Sequence, residues 1–304
     1  MGRKTKLIFN PVANLGRAKS ITSSLQSILP EFDQVVWTET THHGHAIELA
    51  ARAADEGFDQ VVALGGDGTM NEVLNGLMSI PLNRRPFLGV IPVGSGNDFA
   101  YACGLPSDPV LALRQTLAGT PHPVDVGMLQ VNGTTTSYWA NAIGIGFDTI
   151  VTLDSRNMKF VKGFAIYFLS VLQAILFQYE PFHLQMKMDG EDWERTLLML
   201  VLMNGKREGG GFHVTPHALP DDGLLDLLGI DKINRLRMLQ ILPEVLKGTH
   251  ERLKECPTRR FKNISIQANR PLYVHADGEI IATPPTNCIS LSINILERAI
   301  EVVR

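Results

Sequence analysis

Three short apolar runs near the start of the chain each break into a polar, glycine-containing loop, and this repeated pattern restricts the folds available. Leu7-Ile8-Phe9 opens into Asn10-Pro11-Val12-Ala13-Asn14-Leu15-Gly16. Phe58 to Leu64 opens into Gly65-Gly66-Asp67-Gly68, and Phe87 to Ile91 opens into Gly94-Ser95-Gly96-Asn97-Asp98. Helix-period stripes lie between them: Ile21, Leu25, Ile28 and Leu29, then Met70, Val73, Leu74, Leu77 and Met78. A further strand at Val35-Val36-Trp37 leads to an alanine-rich helix from His45 to Ala54, stopped by Gly57. Strands alternating with helices predict an α/β domain with an open, mainly parallel sheet, whose loops converge at the carboxyl ends of the strands, where ligands bind. Its expected limits are residues 1–123, with about 294–304 returning to it.

The rhythm then changes. Asn132-Gly133 and Asp189-Gly190 stand between alternating runs and predict tight hairpins. Further strands are expected at Leu224 to Ile230, Ile264 to Ile266, Leu272 to His275 and Ile289 to Ile293. Residues 124–293 therefore form a mainly antiparallel β-sandwich that carries two helices, Gly163 to Phe177 and Arg235 to Leu246, the second despite Pro243. The Gly163 to Phe177 run is almost wholly apolar but shorter than the ~20 residues a bilayer span needs. It reads as a core helix, or as one that meets lipid through Phe164, Tyr167, Phe168 and Phe177. Gly144-Ile145-Gly146 reads as a strand or bulge pair, because Thr149 stands where a dinucleotide fingerprint needs its third glycine.

Charge narrows the partners. Lys+Arg 28 against Asp+Glu 31 gives −3, and the basic clusters are scattered, so no nucleic-acid stripe is expected. Cys103, Cys256 and Cys288 are odd in number and widely spaced, which argues against a disulfide framework or a zinc site and for a reducing, cytoplasmic setting. The basic N-terminus meets only Leu7-Ile8-Phe9 before a proline, too short for a signal peptide. His42, His43 and His45 read as a solvated helix start, and Pro216 between His213 and His217 opposes a ligand-presenting helix.

Chemistry concentrates in the loops. A helix start beside Gly65 and Gly66 presents backbone N–H groups and a positive dipole end to a polyphosphate, and Asp67 is placed to hold the accompanying Mg²⁺. Thr69 and Glu72 have capping-box spacing. The Walker motif is absent, so phosphate falls to amides from several loops. Phosphoryl transfer also needs a carboxylate to take the acceptor's proton, and Asp277-Gly278-Glu279, at the end of a β run, offers one.

Taken together, Asn10-Pro11 with Asn14 and Gly16, Gly65 to Glu72, Pro92 to Ala100, Pro220 to Asp226 and Asp277-Gly278-Glu279 resemble the diacylglycerol kinase catalytic family, in its soluble bacterial lipid-kinase branch. The match is collinear over nearly the whole chain. NAD kinases share the Gly-Gly-Asp-Gly-Thr loop; the Pro92 to Ala100 block and Glu279 are what favour the lipid kinases. The resemblance implies a nucleotide cleft between the two domains, with ATP contacts at Asn10, Pro11, Val12, Ala13, Asn14, Thr40, Gly66, Asp67, Gly68, Thr69, Met70, Asn71, Glu72 and Ser95. It implies Glu279 as general base, with Asp277 and Asp67 also catalytic, and a structural Mg²⁺ on Asp222 and the main-chain oxygens of Leu219 and Leu224. Asp98 and Asp125 are implied in a water-mediated network around the catalytic metal.

The expected activity is ATP- and Mg²⁺-dependent phosphorylation of a lipid hydroxyl, diacylglycerol giving phosphatidic acid, by a cytoplasmic protein that visits the membrane surface. The acyl chains would shelter on apolar residues of the second domain, and a homodimer through exposed edge strands is plausible. An NAD kinase is the alternative enzyme, although its water-soluble acceptor has no use for an apolar cleft. A non-catalytic lipid- or nucleotide-binding protein is the alternative of another class; retention of Asp67, Asp277 and Glu279 argues against it.

Overall fold

In this computed structural model residues 2–14, 16–32, 34–157 and 164–304 are described. Leu15 of the first loop, and Gly163 where the long apolar run begins, lie outside the described residues. The chain divides into two units, residues 1–126 with 297–304, and residues 127–296.

The first unit alternates β1 (Thr5–Phe9), α1 (Thr22–Ile28), β2 (Val35–Glu39), α2 (His45–Ala51), β3 (Gln60–Gly65), α3 (Asp67–Met78), β4 (Phe87–Pro92), α4 (Asp98–Ala102) and α5 (Pro109–Ala118). The strands pair in parallel in the order β2-β1-β3-β4. Every residue of β1 and β3 is buried, the continuous pattern expected of strands covered on both faces. On α3, Met70, Val73, Leu74 and Leu77 are at most 1% exposed. Full burial of such a side chain contributes about 1.5–3 kcal/mol, so this stripe fixes the helix on the sheet. The helix α2 stops three residues before the expected Ala54, because the chain turns over residues 52–57 and reaches Gly57 at φ 74.

The second unit begins within β5 (Pro121–Val131) and continues with β6 (Thr134–Trp139), β7 (Ala142–Gly146), α6 (Phe147–Asn157), α7 (Phe164–Phe177), β8 (Phe182–Met188) and β9 (Glu191–Met203). Then come β10 (Leu225–Asp231), α8 (Arg235–Lys247), β11 (Thr258–Phe261), β12 (Asn263–Ala268), β13 (Val274–Ala276), β14 (Glu279–Ala282) and β15 (Ser290–Val303). Its described pairings are antiparallel, with β13 lying between β14 and β7, and β9 beside β7, β8 and β10. Both expected hairpins form. Asn132 and Gly133 (φ 48 and 85) and Asp189 and Gly190 (φ 46 and 95) occupy the left-handed region that a two-residue turn requires.

Burial explains the strand patterns. One sheet face packs Phe182, Leu184, Met186, Leu200, Leu202, Phe261 and Ile264 into a core. The other is covered by Ile150 and Val151 of α6, Val171, Ala174 and Ile175 of α7, and Met238, Ile241 and Val245 of α8. Strand β8 alternates, whereas Leu197 to Met203 of β9 is buried throughout because both faces are covered. That packing also carries α8 through Pro243, to end at Gly248 (φ 69). The final strand begins against β12 and ends in the first unit, where Val302 pairs in parallel with Leu88.

Five elements escape a reading of the sequence: α4, α5, α6, β11 and β14. The stripe Phe147, Ile150, Val151 was the available signal for α6, but the polar residues between them mask it. Among the described residues no helix is long and apolar enough to cross a membrane. All three cysteines are buried, and burial pushes the Cys256 thiol up to about 12 and that of Cys288 to about 11.

Candidate active site

In the first unit the glycine loops meet backbone to backbone. A Cβ on Gly94 would stand 2.5 Å from Gly66 Cα, so β3 and β4 can bring their loops this close only with glycine there. Asp67 fastens the pair: Asn97 N–H donates to its Oδ2 at 2.7 Å, and Asp98 and Phe99 N–H donate to Oδ1 at 2.8 and 3.4 Å. A Cβ on Gly96 would meet Asp67 Oδ2 at 2.9 Å and Asp98 Oδ2 at 3.0 Å, so two carboxylates converge on the loop after β4. The first loop joins through Asn10, whose Nδ2 donates to Thr69 Oγ1 at 2.9 Å while its Oδ1 accepts Val12 N–H at 3.1 Å.

The capping-box expectation is corrected. The helix α3 starts at Asp67 with Gly66 as its cap, so Thr69 already lies inside it and its hydroxyl serves Asn10. Glu72 points to α2 instead, accepting Gly44 N–H at 2.9 Å, Ala46 N–H at 3.2 Å and His43 Nδ1 at 2.9 Å. A carboxylate at a helix N-terminus complements the dipole, and this one ties the loop after Thr40 to α3. Thr40 itself is held by its N–H, which donates to Phe9 O at 2.8 Å.

Of the expected nucleotide contacts, Asn10, Pro11, Gly66, Asp67, Gly68, Glu72, Thr40 and Ser95 are partly exposed, and Val12 and Asn14 are exposed. Met70 is not available: it is a core residue with its N–H bonded to Gly66 O. Ala13, Thr69 and Asn71 are buried and support the loops from beneath. Asp125 is also buried, and it accepts Arg298 N–H at 2.6 Å, a bond that shapes the last strand.

In the second unit, the carboxylate of Asp277, expected to be catalytic, is turned onto the backbone of residues 140–142. Its Oδ1 accepts Asn141 and Ala142 N–H at 2.9 Å each and its Oδ2 accepts Ala140 N–H at 2.8 Å, at 6% exposure. Glu279 opens β14 with its side chain 32% exposed, and Arg156 Nη2 reaches its Oε2 at 3.1 Å and Gly278 O at 2.6 Å. Below this turn lies fully buried His275, with Nε2 2.8 Å from Asp148 Oδ2 and 3.5 Å from Glu208 Oε1. These three groups are close enough to share an ion, but Gly278 N–H donates to His275 Nδ1 at 3.3 Å. That bond uses the Nδ1 lone pair and puts the proton on Nε2, where it faces the two carboxylates. Sequence reasoning missed His275, Asp148, Glu208 and Arg156; a histidine two residues before Asp277 was the only clue.

The residues expected to hold a structural metal form a tight turn with Gly223 at φ 74. Asp222 Oδ1 accepts Leu224 N–H at 3.1 Å, and its Oδ2 pairs with Arg260. Asp226 lies beside it, 3.5 Å from Arg260, with a buried Oδ2 that has no hydrogen-bond partner among the described residues. Burial pushes its carboxyl up to about 6, against the opposing pull of Arg260. An oxygen-rich turn with one underserved carboxylate suits a hard divalent cation.

Comparison with known proteins places these features in a family. The diacylglycerol kinase catalytic domain profile matches residues 4–129, and that of the YegS C-terminal NAD kinase beta sandwich-like domain matches residues 141–304. A diacylglycerol kinase of Bacillus subtilis (strain 168) is 30% identical, over 95% of this chain and 94% of its own. The chain belongs to the diacylglycerol kinase family. It is a lipid kinase of that family, consistent with the 32% identity to a probable lipid kinase YegS-like from Chromohalobacter salexigens, over 88% of each chain. A crystal structure of a diacylglycerol kinase from Bacillus anthracis str. Sterne shares the fold, with a TM-score of 0.79 at 24% identity over 99% of this kinase and 97% of that chain. The histidines after Thr40 have protein partners in this kinase: His42 and His45 stack at 4.8 Å, and His43 pairs with Glu72. The Gly209 to Gly211 run has a packing role, since Tyr167 lies against Gly209 and Phe164 against Gly211, where a Cβ would meet its ring at 2.5 Å.

Proposed function

We propose that this kinase transfers the γ-phosphate of ATP to the hydroxyl of diacylglycerol, giving phosphatidic acid. The observation that carries the reading is the pair of glycine loops fastened by Asp67, a backbone-lined phosphate site with two convergent carboxylates, in a chain whose relatives are named diacylglycerol kinases. Amides and polar groups of the loops after β1, β3 and β4, with Thr40, bind and orient the polyphosphate. Glu279 takes the proton of the lipid hydroxyl as that oxygen attacks phosphorus, and ADP leaves. Bound Mg²⁺ would neutralise polyphosphate charge at the carboxylates of Asp67 and Asp98, and a second, structural ion would be held by Asp222 with the carbonyls of Leu219 and Leu224.

For the acceptor, α7 supports a lipid. Its Val171, Ala174 and Ile175 are buried, but Leu169, Leu176 and Phe177 remain 41%, 56% and 76% exposed, an apolar face suited to acyl chains or a membrane surface. Transfer of ³²P from labelled ATP to dispersed diacylglycerol, to NAD and to a total lipid extract, each with and without Mg²⁺, tests the reading. Label in phosphatidic acid only with Mg²⁺ is expected; label in NAD alone would make this an NAD kinase, and label in a different lipid would move the acceptor assignment.

A further inference from the structure

Within the second unit, α6 holds the Asp277-Gly278-Glu279 turn at two points. At its last turn Arg156 donates to Gly278 O and pairs with Glu279. At its first turn Asp148 accepts from His275, which in turn accepts the N–H of Gly278. We propose that His275 is a positioning residue for Glu279, a neutral imidazole locked in the Nε2–H tautomer whose Nδ1 lone pair sets the turn. The proposal rests on Glu279 being the general base.

Three observations carry it. The β13–β7 register sets His275 opposite Gly144, just before the helix that bears Asp148. A Cβ on Gly144 would fall 2.0 Å from Asp148 Oδ2 and 2.2 Å from His275 Nε2, so this pair packs on a strand position that has been left without a side chain. The imidazole is fully buried, and each of its nitrogens faces a group of the complementary kind, a carboxylate at Nε2 and an amide at Nδ1. A ring so held has one orientation and one tautomer, as a carboxylate-backed histidine does in other sites. Its effect reaches the base through a single peptide unit, Gly278, which has φ 81 and no side chain to steady it. Chemistry at a phosphoryl group is sensitive to such placement: misplacing a catalytic group by ~1 Å costs on the order of 100-fold.

The two nitrogens can be tested separately. Asparagine places its Oδ1 where Nδ1 lies and keeps the acceptor for Gly278. Glutamine keeps a donor toward Asp148 and loses that acceptor. Steady-state kinetics of His275→Asn, His275→Gln and His275→Ala in the full-length kinase should show kcat about 10–100-fold lower for Gln and Ala, with KM for ATP unchanged, and largely restored for Asn. A urea midpoint for each variant separates this from general damage, and if the Ala variant does not fold, the Asn and Gln pair carries the comparison. Wild-type kcat in the Ala variant, or Gln performing as well as Asn, or Asn as poor as Ala, would overturn the proposal. Glu279→Gln distinguishes the two layers. If it keeps its kcat, the base assignment fails; if it is inactive while His275→Ala is normal, only the positioning role fails. In the Glu279→Gln background, His275→Ala should lower kcat no further.

Discussion

Asp277→Asn separates a carboxylate that holds the fold from one that does chemistry. The native side chain accepts three backbone N–H groups at 2.8–2.9 Å in a site 6% exposed. Asparagine tolerates the left-handed backbone, φ 47, as well as aspartate does, so the substitution adds no conformational cost. One amide oxygen can keep the two bonds from Asn141 and Ala142, without the charge that strengthens them, while the NH₂ faces the Ala140 N–H donor to donor. A hydrogen bond to a charged group contributes about 1.5–3 kcal/mol, and an orphaned buried donor costs about 1–3 kcal/mol. The expected loss is about 2–4 kcal/mol, read as a lowered urea midpoint at unchanged slope. Glu279→Gln, at a partly exposed residue, should leave the midpoint within ~0.5 kcal/mol yet remove about 10²–10⁴-fold of turnover. An unchanged midpoint for Asp277→Asn, with kcat lost as in Glu279→Gln, would refute the positioning role and make Asp277 a chemical group.

Gly94→Ala should abolish ATP binding by calorimetry, because its methyl group would meet the Gly66 backbone at 2.5 Å and force the loops apart; native affinity would mean that the close approach is dispensable. Asp222→Ala should lower the melting temperature and remove its dependence on Mg²⁺, and equal melting of wild type and variant with and without chelator would count against the structural ion. His250 is buried with Nε2 on Val214 O, and burial holds its pKa below the ordinary value. The folded state therefore binds fewer protons than the unfolded one, so His250's contribution is complete above pH ~6.5 and is lost as pH falls below it. Urea midpoints from pH 8 to 5 should fall less steeply in His250→Gln, and parallel curves would remove this residue as the cause. Cys256 and Cys288, both buried with raised thiol pKa values, should resist alkylation in the native protein and react only on unfolding.

The strand, loop and helix repeats of the first unit as far as β4, and the hairpins of the second, were legible because their causes are local. Apolar periodicity is read over a few residues, and Asn-Gly or Asp-Gly supplies the positive φ that a two-residue turn needs. Helix α6 was not legible, since its apolar stripe is short and its packing partners, on α7 and β9, lie farther along the chain. The glycine run at 209–211 was visible as an oddity only, until α7 laid its aromatic rings on it.

By itself the sequence determined where the glycine loops begin, which stretches could be strands or helices, and which carboxylates were candidates. Which group each carboxylate serves was decided by tertiary structure. Glu72 bonds the start of α2 and not its own helix, Asp67 binds the loop after β4, Asp277 holds residues 140–142, and Asp148 meets His275 across 127 positions of sequence. The physical reason is that a buried carboxylate must be satisfied by whatever donor lies within about 3 Å, and strand register and packing, not sequence spacing, bring that donor there.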